Sequence, residues 1–225
     1  MQEQELIPAS TTLPLEHRVL HVGSPTDKGP VIILLHGMGS NEGGMLKLAS
    51  ILPKSGIVYA LRAPYTLGPG KFAWYEVDFS TGTPTIHFDE AEKSRALIRT
   101  FIQGIRDRHD MGDEKVIVGG FSQGGVMCYN IGLTTPEMVK GIFIMGSRLP
   151  PEIRPYIKSA EELKELKIFI GHGNEDRVLP LSHAHEALDL LRALGLQPEG
   201  HEYTMGHTIG PDMIEDLKRW MTHFA

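Results

Sequence analysis

Cysteine is almost missing from this chain. With Cys128 alone among 225 residues, no internal disulfide can form, so stability cannot rest on an oxidising compartment and a cytoplasmic location is expected. An excess of basic residues is missing too. Against 28 acidic side chains stand 22 Lys and Arg, a net charge of −6 with no basic stripe, so nothing attracts nucleic-acid phosphates. No apolar run is long enough to span a bilayer, and the opening MQEQELIPAS lacks the basic-then-apolar order of a signal peptide, so no integral membrane segment is expected. The 11 histidines show no compact H-E-x-x-H spacing, and with one cysteine a structural zinc is not expected. Repeats, low-complexity tracts and linkers are also lacking. Residues 1–225 therefore read as a single domain, with 1–14 a loose arm or an edge strand.

What is present is alternation. Apolar β-branched runs at 17–22, 31–35, 57–61, 116–118, 141–145, 168–170 and 199–204 read as strands. Between them, 41–52, 90–109, 160–167, 181–194 and 211–224 read as helices, 160–167 as a solvated one. Runs such as Val31-Ile32-Ile33-Leu34-Leu35 are continuous, as expected of parallel strands covered on both faces. The fold class is α/β, with a mostly parallel central sheet flanked by helices. Residues 62–89 show no sustained period and carry Tyr65, Phe72, Trp74, Tyr75 and Phe79, so they read as an irregular loop whose aromatics either pack or line a cleft.

The densest chemistry lies at 116–131. A strand meets Gly120-Phe121-Ser122-Gln123-Gly124, then a helix; this G-x-S-x-G corner is the nucleophile elbow, which exposes a serine hydroxyl above the sheet. Gly is favoured two residues before and after the serine because a Cβ would collide with the neighbouring strand or helix. The helix start also points free N–H groups and a positive dipole at a developing oxyanion. A serine hydroxyl needs a base, and the base needs an acid to orient it. Asp176 and His207 follow Ser122 in the order Ser, acid, His, each at the end of an expected strand. Their rivals are Glu175 and Asp212 for the acid, and His201, His183 and His185 for the base; position favours Asp176 and His207. Cys128 reads as a small buried hydrophobe.

Leu34-Leu35-His36-Gly37-Met38-Gly39, Arg62-Ala63-Pro64-Tyr65 with Trp74-Tyr75, Gly120 to Gly125, Gly171-His172-Gly173 through Asp176 to Pro180, and Gly206-His207 together resemble the phospholipase/carboxylesterase branch of the α/β-hydrolases. From about residue 20 onwards the resemblance covers the chain. It implies an α/β-hydrolase fold without a large cap domain, a triad of Ser122, Asp176 and His207, and an oxyanion hole from the backbone N–H groups of Met38 and Gln123. Leu67, Phe72, Trp74, Leu179 and Ile209 are candidate substrate walls, with Met38 beside them.

The expected activity is serine-dependent cleavage of carboxylic esters of small to medium acyl chain at an open, shallow site, with a small-molecule ester as partner and no cofactor. Lysophospholipase or acyl-thioesterase activity is the alternative within the branch, peptidase activity a third, and a non-catalytic binding scaffold the alternative outside it. Monomer and homodimer both remain open. Activity that depends on a neutral imidazole is expected to rise with pH through about 6 to 7 and then level off.

Overall fold

The computed structural model describes residues 5–22, 29–51, 55–78, 85–109 and 116–224. Along the chain come β1 (His17–Val22), β2 (Val31–Leu35), the helical turn α1 (Glu42–Met45) with a 3-10 continuation over Leu46–Ile51, and β3 (Gly56–Leu61). Four short strands follow, β4 (Tyr65–Gly68), β5 (Lys71–Ala73), β6 (Val77–Asp78) and β7 (Thr85–Ile86). Then come α2 (Phe88–His109), β8 (Val116–Phe121), α3 (Gln123–Thr134), β9 (Gly141–Met145) and α4 (Ala160–Leu163). The chain ends with β10 (Lys167–Gly173), α5 (Ser182–Ala193), β11 (Glu199–Tyr203) and α6 (Pro211–Met221).

Seven strands form one sheet in the order β1-β3-β2-β8-β9-β10-β11. Only β1 runs antiparallel, at the edge, where Ile7 also bridges to His17. Successive side chains of a strand point to opposite faces. Ile33, Leu35, Val116, Val118, Ile142 and Ile144 therefore pack on one side against Ile98, Phe101, Ile102 and Tyr129 of α2 and α3. Ile32, Leu34, Ile117, Phe143 and Met145 pack on the other against Met45, Leu48, Met213, Leu217 and Trp220. Both faces are covered, which explains runs with no polar interruption. Cys128 is buried among these side chains, and burial pushes its thiol up and away from reactivity.

Three expected elements differ. The helix at 41–52 is one α-turn followed by 3-10 helix: Asn41 caps it by accepting from Gly43 N and Gly44 N at 3.0 and 3.3 Å, but Gly43 and Gly44 in the first turn weaken its continuation. Helix 160–167 is a single turn, capped by Ser159. The loop 62–89 holds two hairpins, β4 with β5 and β6 with β7. Their strands run four residues or fewer, and β4 with β5 pairs across a register shift, so no period of two can accumulate. Residues 65–78 form a strap laid against the carboxyl end of the sheet. Residues 1–4, Leu52 and Phe79 lie outside the described residues.

Candidate active site

The corner between β8 and α3 puts Ser122 at φ 53° and ψ −117°, the sole non-glycine with positive φ among the described residues. Such a conformation costs about 1–3 kcal/mol and persists where its surroundings over-determine it. Here they do. Ser122 N donates to Met145 O at 3.0 Å, while Ser122 O accepts from Gly125 N at 2.9 Å and from Ser147 Oγ at 2.7 Å. A Cβ on Gly120 would strike the backbone of Gly124, and one on Gly124 would strike the Leu35 carbonyl. The glycines let strand, helix and β2 approach main chain to main chain.

Loops from two other strand ends meet this corner. His207, on the loop after β11, brings Nε2 to 2.9 Å from Ser122 Oγ. Its Nδ1 lies 2.6 Å from Asp176 Oδ2 on the loop after β10. A carboxylate only accepts, so Nδ1 carries the proton and Nε2 of the neutral ring is free to accept from the serine. The Phe121 ring packs on the imidazole, centroids 4.8 Å apart. The Asp176 carboxylate is buried, and Oδ1 takes N–H bonds from Val178 and Leu179, each 2.8 Å. Burial alone would raise its pKa; the Leu179 N–H, the bond to His207 and the Val178 N–H outweigh that and hold it below the ordinary aspartate value.

The N–H groups of Met38 and Gln123 have no backbone acceptor among the described residues. Gln123 is the first residue of α3, where a helix leaves its N–H unsatisfied. The Met38 loop is held from both sides. Gly39 N donates to Phe72 O and Phe72 N to Ser40 O, both at 2.9 Å, so β5 runs as a partner to it. Beneath, buried His36 donates from Nδ1 to Gly37 O at 2.8 Å and accepts the Ala63 N–H at Nε2 at 3.1 Å. Those two bonds fix the neutral tautomer, in keeping with a pKa lowered chiefly by burial.

Two cavities, about 430 and 380 Å³, open on either side of Ser122 and share Met38 as their divide. Tyr75, Val77, Ile86, Val126, Val178 and Leu179 form the apolar walls of the first, where Arg148 and His183 also stand. The second is lined by His207, Thr208, Ile209, Ile214, Leu48 and Lys47. The serine thus sits between two recesses that are both open to solvent, as expected from the absence of a cap.

Of the expected wall residues, Leu179 lines the first cavity and Ile209 the second. Leu67, Phe72 and Trp74 do not line them. Leu67 is exposed on the β4–β5 hairpin, and Phe72 is covered by the Arg62 guanidinium 4.5 Å from its centroid. Trp74 is wholly buried, with its indole N–H given to His36 O at 2.9 Å. It is scaffold for the Met38 loop. Among the rival bases, His201 stacks on Phe169 within β11, His185 pairs with Glu202, and His183 faces the first cavity.

Sequence reasoning missed the supports. The Gln123 side chain accepts from Trp74 N and donates to Tyr75 O, each at 2.7 Å, clamping the strap to the elbow. Buried His172 donates from Nε2 to Leu179 O at 2.8 Å and lies 3.4 Å from Asp176 Oδ2, steadying the acid's loop. A histidine between two glycines at a strand end was the available signal for the latter. Among the described residues no three His, Cys, Asp or Glu side chains group as metal ligands would, and no helix is long and apolar enough to cross a membrane.

A mostly parallel sheet with a serine on a positive-φ corner at its carboxyl edge defines the class, an α/β-hydrolase. Within that class the chain belongs to the phospholipase/carboxylesterase family, whose sequence profile matches residues 18–224. Membership makes it a carboxylic ester hydrolase. Acyl-protein thioesterase 1 of Emericella nidulans is 27% identical over 84% of this chain and 88% of that protein. The same-named protein of Mycosarcoma maydis is 27% identical over 92% and 96%. In fold, the Bacillus cereus carboxylesterase superposes with a TM-score of 0.80 at 19% identity, covering 94% of this chain and 95% of that one.

Proposed function

We propose that Ser122, His207 and Asp176 are a catalytic triad that hydrolyses carboxylic esters of small to medium acyl chain through an acyl-enzyme. The observation that carries this is the unbroken path from Ser122 Oγ to His207 Nε2, 2.9 Å, and from His207 Nδ1 to Asp176 Oδ2, 2.6 Å. Ser122 Oγ attacks the carbonyl carbon as its proton passes to His207 Nε2. The oxyanion is received by the N–H groups of Met38 and Gln123, and Asp176 stabilises the imidazolium. Collapse breaks the bond to the leaving oxygen, which takes the proton from Nε2. Water then repeats the sequence on the acyl-enzyme, with its proton passing through Nε2 back to Ser122.

That proton transfer orients the substrate. Because Nε2 must reach the leaving oxygen, the leaving group belongs in the cavity lined by His207, and the acyl chain belongs in the other, apolar one. Its volume of about 430 Å³ suits a small to medium chain. The relatives named as acyl-protein thioesterases favour a second reading, in which the scissile bond is a thioester.

A fluorophosphonate probe should label the wild-type chain at Ser122 and leave Ser122→Ala unlabelled, since an unactivated serine does not react. The same substitution should lower kcat/KM on 4-nitrophenyl esters by about four to six orders of magnitude. Parallel chain-length series of esters and acyl-thioesters decide between the two scissile bonds. Turnover of long-chain substrates alone would overturn the small-to-medium reading, and failure of the probe to label would return the chain to a non-catalytic scaffold.

A further inference from the structure

Most of the side chains lining the acyl-side cavity are apolar. Arg148 and His183 both line it, and no Asp or Glu does. Among the described residues no hydrogen bond or ion pair engages the Arg148 guanidinium, although the residue as a whole is partly buried. The carboxylate four residues on, Glu152, is exposed and makes no ion pair with it. The backbone on each side is fixed: Ser147 Oγ donates to Ser122 O at 2.7 Å, and Leu149 is 8% exposed. The charge is also felt inside the cavity wall: after the upward push of burial, Arg148 lowers and exposed Glu152 raises the pKa of the Tyr75 phenol. A cation lining a largely apolar recess, with no ion-pair partner among the described residues, asks for an anion from the ligand.

We propose that Arg148 is a specificity residue that pairs with a second carboxylate carried by the acyl group, so that the favoured substrates are monoesters of dicarboxylic acids. The planar guanidinium fork matches a carboxylate bidentately, and the His183 ring can add one N–H. The apolar walls take the methylenes between. The inference rests on the triad reading and on the assignment of the acyl chain to this cavity. No new chemical step is involved; the terminal carboxylate binds and leaves unchanged.

The test compares 4-nitrophenyl monoesters of hexanedioic and octanedioic acid with 4-nitrophenyl hexanoate and octanoate. Within each protein variant the readout is the ratio of kcat/KM, anionic over neutral, so any loss of folded enzyme cancels. The wild-type ratio should exceed about ten. It should fall to about one in Arg148→Gln, drop below one in Arg148→Glu, and recover in large part in Arg148→Lys. A wild-type ratio of one or less, or a ratio unmoved by Arg148→Gln and Arg148→Glu, overturns the proposal. Serine-dependent turnover of the neutral esters with no preference sinks this inference and leaves the triad standing. Turnover that survives Ser122→Ala sinks both.

Discussion

Around Ser122 the corner is held mostly by main chain, Met145 O, Gly125 N, and the Gly124 backbone lying against the Leu35 carbonyl, with Ser147 Oγ adding one side-chain bond to the Ser122 carbonyl. Along the strap at 65–78, beyond the main-chain pair of Phe72 with Gly39 and Ser40, the ties are side chains, from Gln123 to Trp74 and Tyr75, from Ser94 Oγ to Trp74 O at 2.5 Å, and from the Trp74 indole to His36. Both regions shape the same site. A corner built from close backbone contacts tolerates almost no added atom, whereas a surface fastened by scattered hydrogen bonds loosens one bond at a time. The difference teaches which part of an active site short motifs can encode and which part only the folded chain assembles.

The largest test of that contrast is Gly124→Ala. The new Cβ meets backbone on the Leu35 side and the His36 carbonyl at 2.8 Å, and no rotamer relieves it. A loss of about 3 kcal/mol or more in urea unfolding is expected, with ester hydrolysis falling alongside. Gly70→Ala in the β4–β5 turn is the partner measurement. Its Cβ would meet nothing within 4 Å, and only its φ of +69° opposes the change, so about 1 kcal/mol is expected. Equal losses at the two positions would break the comparison.

Next comes Gln123→Ala, which keeps the backbone N–H assigned to the oxyanion but strands two buried groups of the strap, Trp74 N and Tyr75 O. Unsatisfied buried groups cost about 1–3 kcal/mol each, so a total of about 2–6 kcal/mol is expected. Hydrogen exchange at the Trp74 amide should speed up, and kcat/KM should drop by about tenfold as the Met38 loop loses its brace. An unchanged Trp74 exchange rate would mean that the strap is held by something other than this clamp. Trp74→Phe removes a single indole donor and should cost about 1 kcal/mol.

These two kinds of construction explain what was legible beforehand. Strand runs such as Gly141–Met145 were readable because burial on both faces leaves no polar residue in them. The G-x-S-x-G corner was readable because its glycines answer a local steric demand within five residues, and Asp176 and His207 were reached through strand-end position. The strap hid itself. From sequence Trp74 reads either as packing or as a cleft wall; its position is set by the His36 carbonyl 38 residues away in sequence, and nothing local to an aromatic residue reports a distant acceptor. The helix expected at 41–52 is helical over Glu42–Ile51 but turns 3-10 after Met45, where Gly43 and Gly44 have weakened its first turn. Arg148 carried no signal at all, because one arginine in a proline-rich loop has no spacing to read.

The smallest effect sharpens the comparison through acid. Each region has one carboxylate held below its ordinary pKa. For Asp176, behind the elbow, burial is outweighed by the Leu179 N–H, His207 and the Val178 N–H. For Glu42, burial is outweighed by its bonds to Arg62 at 2.8 and 2.9 Å, with Arg18 assisting at 3.2 Å. Arg62 in turn covers Phe72 of the strap. A carboxylate with a depressed folded pKa stabilises the fold fully above its unfolded value, and that stability is lost as pH falls through the folded one. Unfolding free energy should therefore begin to fall below about pH 6.5, where His17, His36 and His109, held below the ordinary imidazole value by burial, protonate first in the unfolded chain, and fall further below about pH 5, with a shallower decline there in Glu42→Gln and in Asp176→Asn than in wild type. The order of loosening matters more than its size. If the strap depends on Glu42 and Arg62 while the elbow depends on backbone contacts, the Trp74 amide should lose exchange protection at a higher pH than the amides of α3, after correction for intrinsic rates. Simultaneous loss would make strap and elbow one cooperative unit, and the distinction between them would be one of sequence legibility alone.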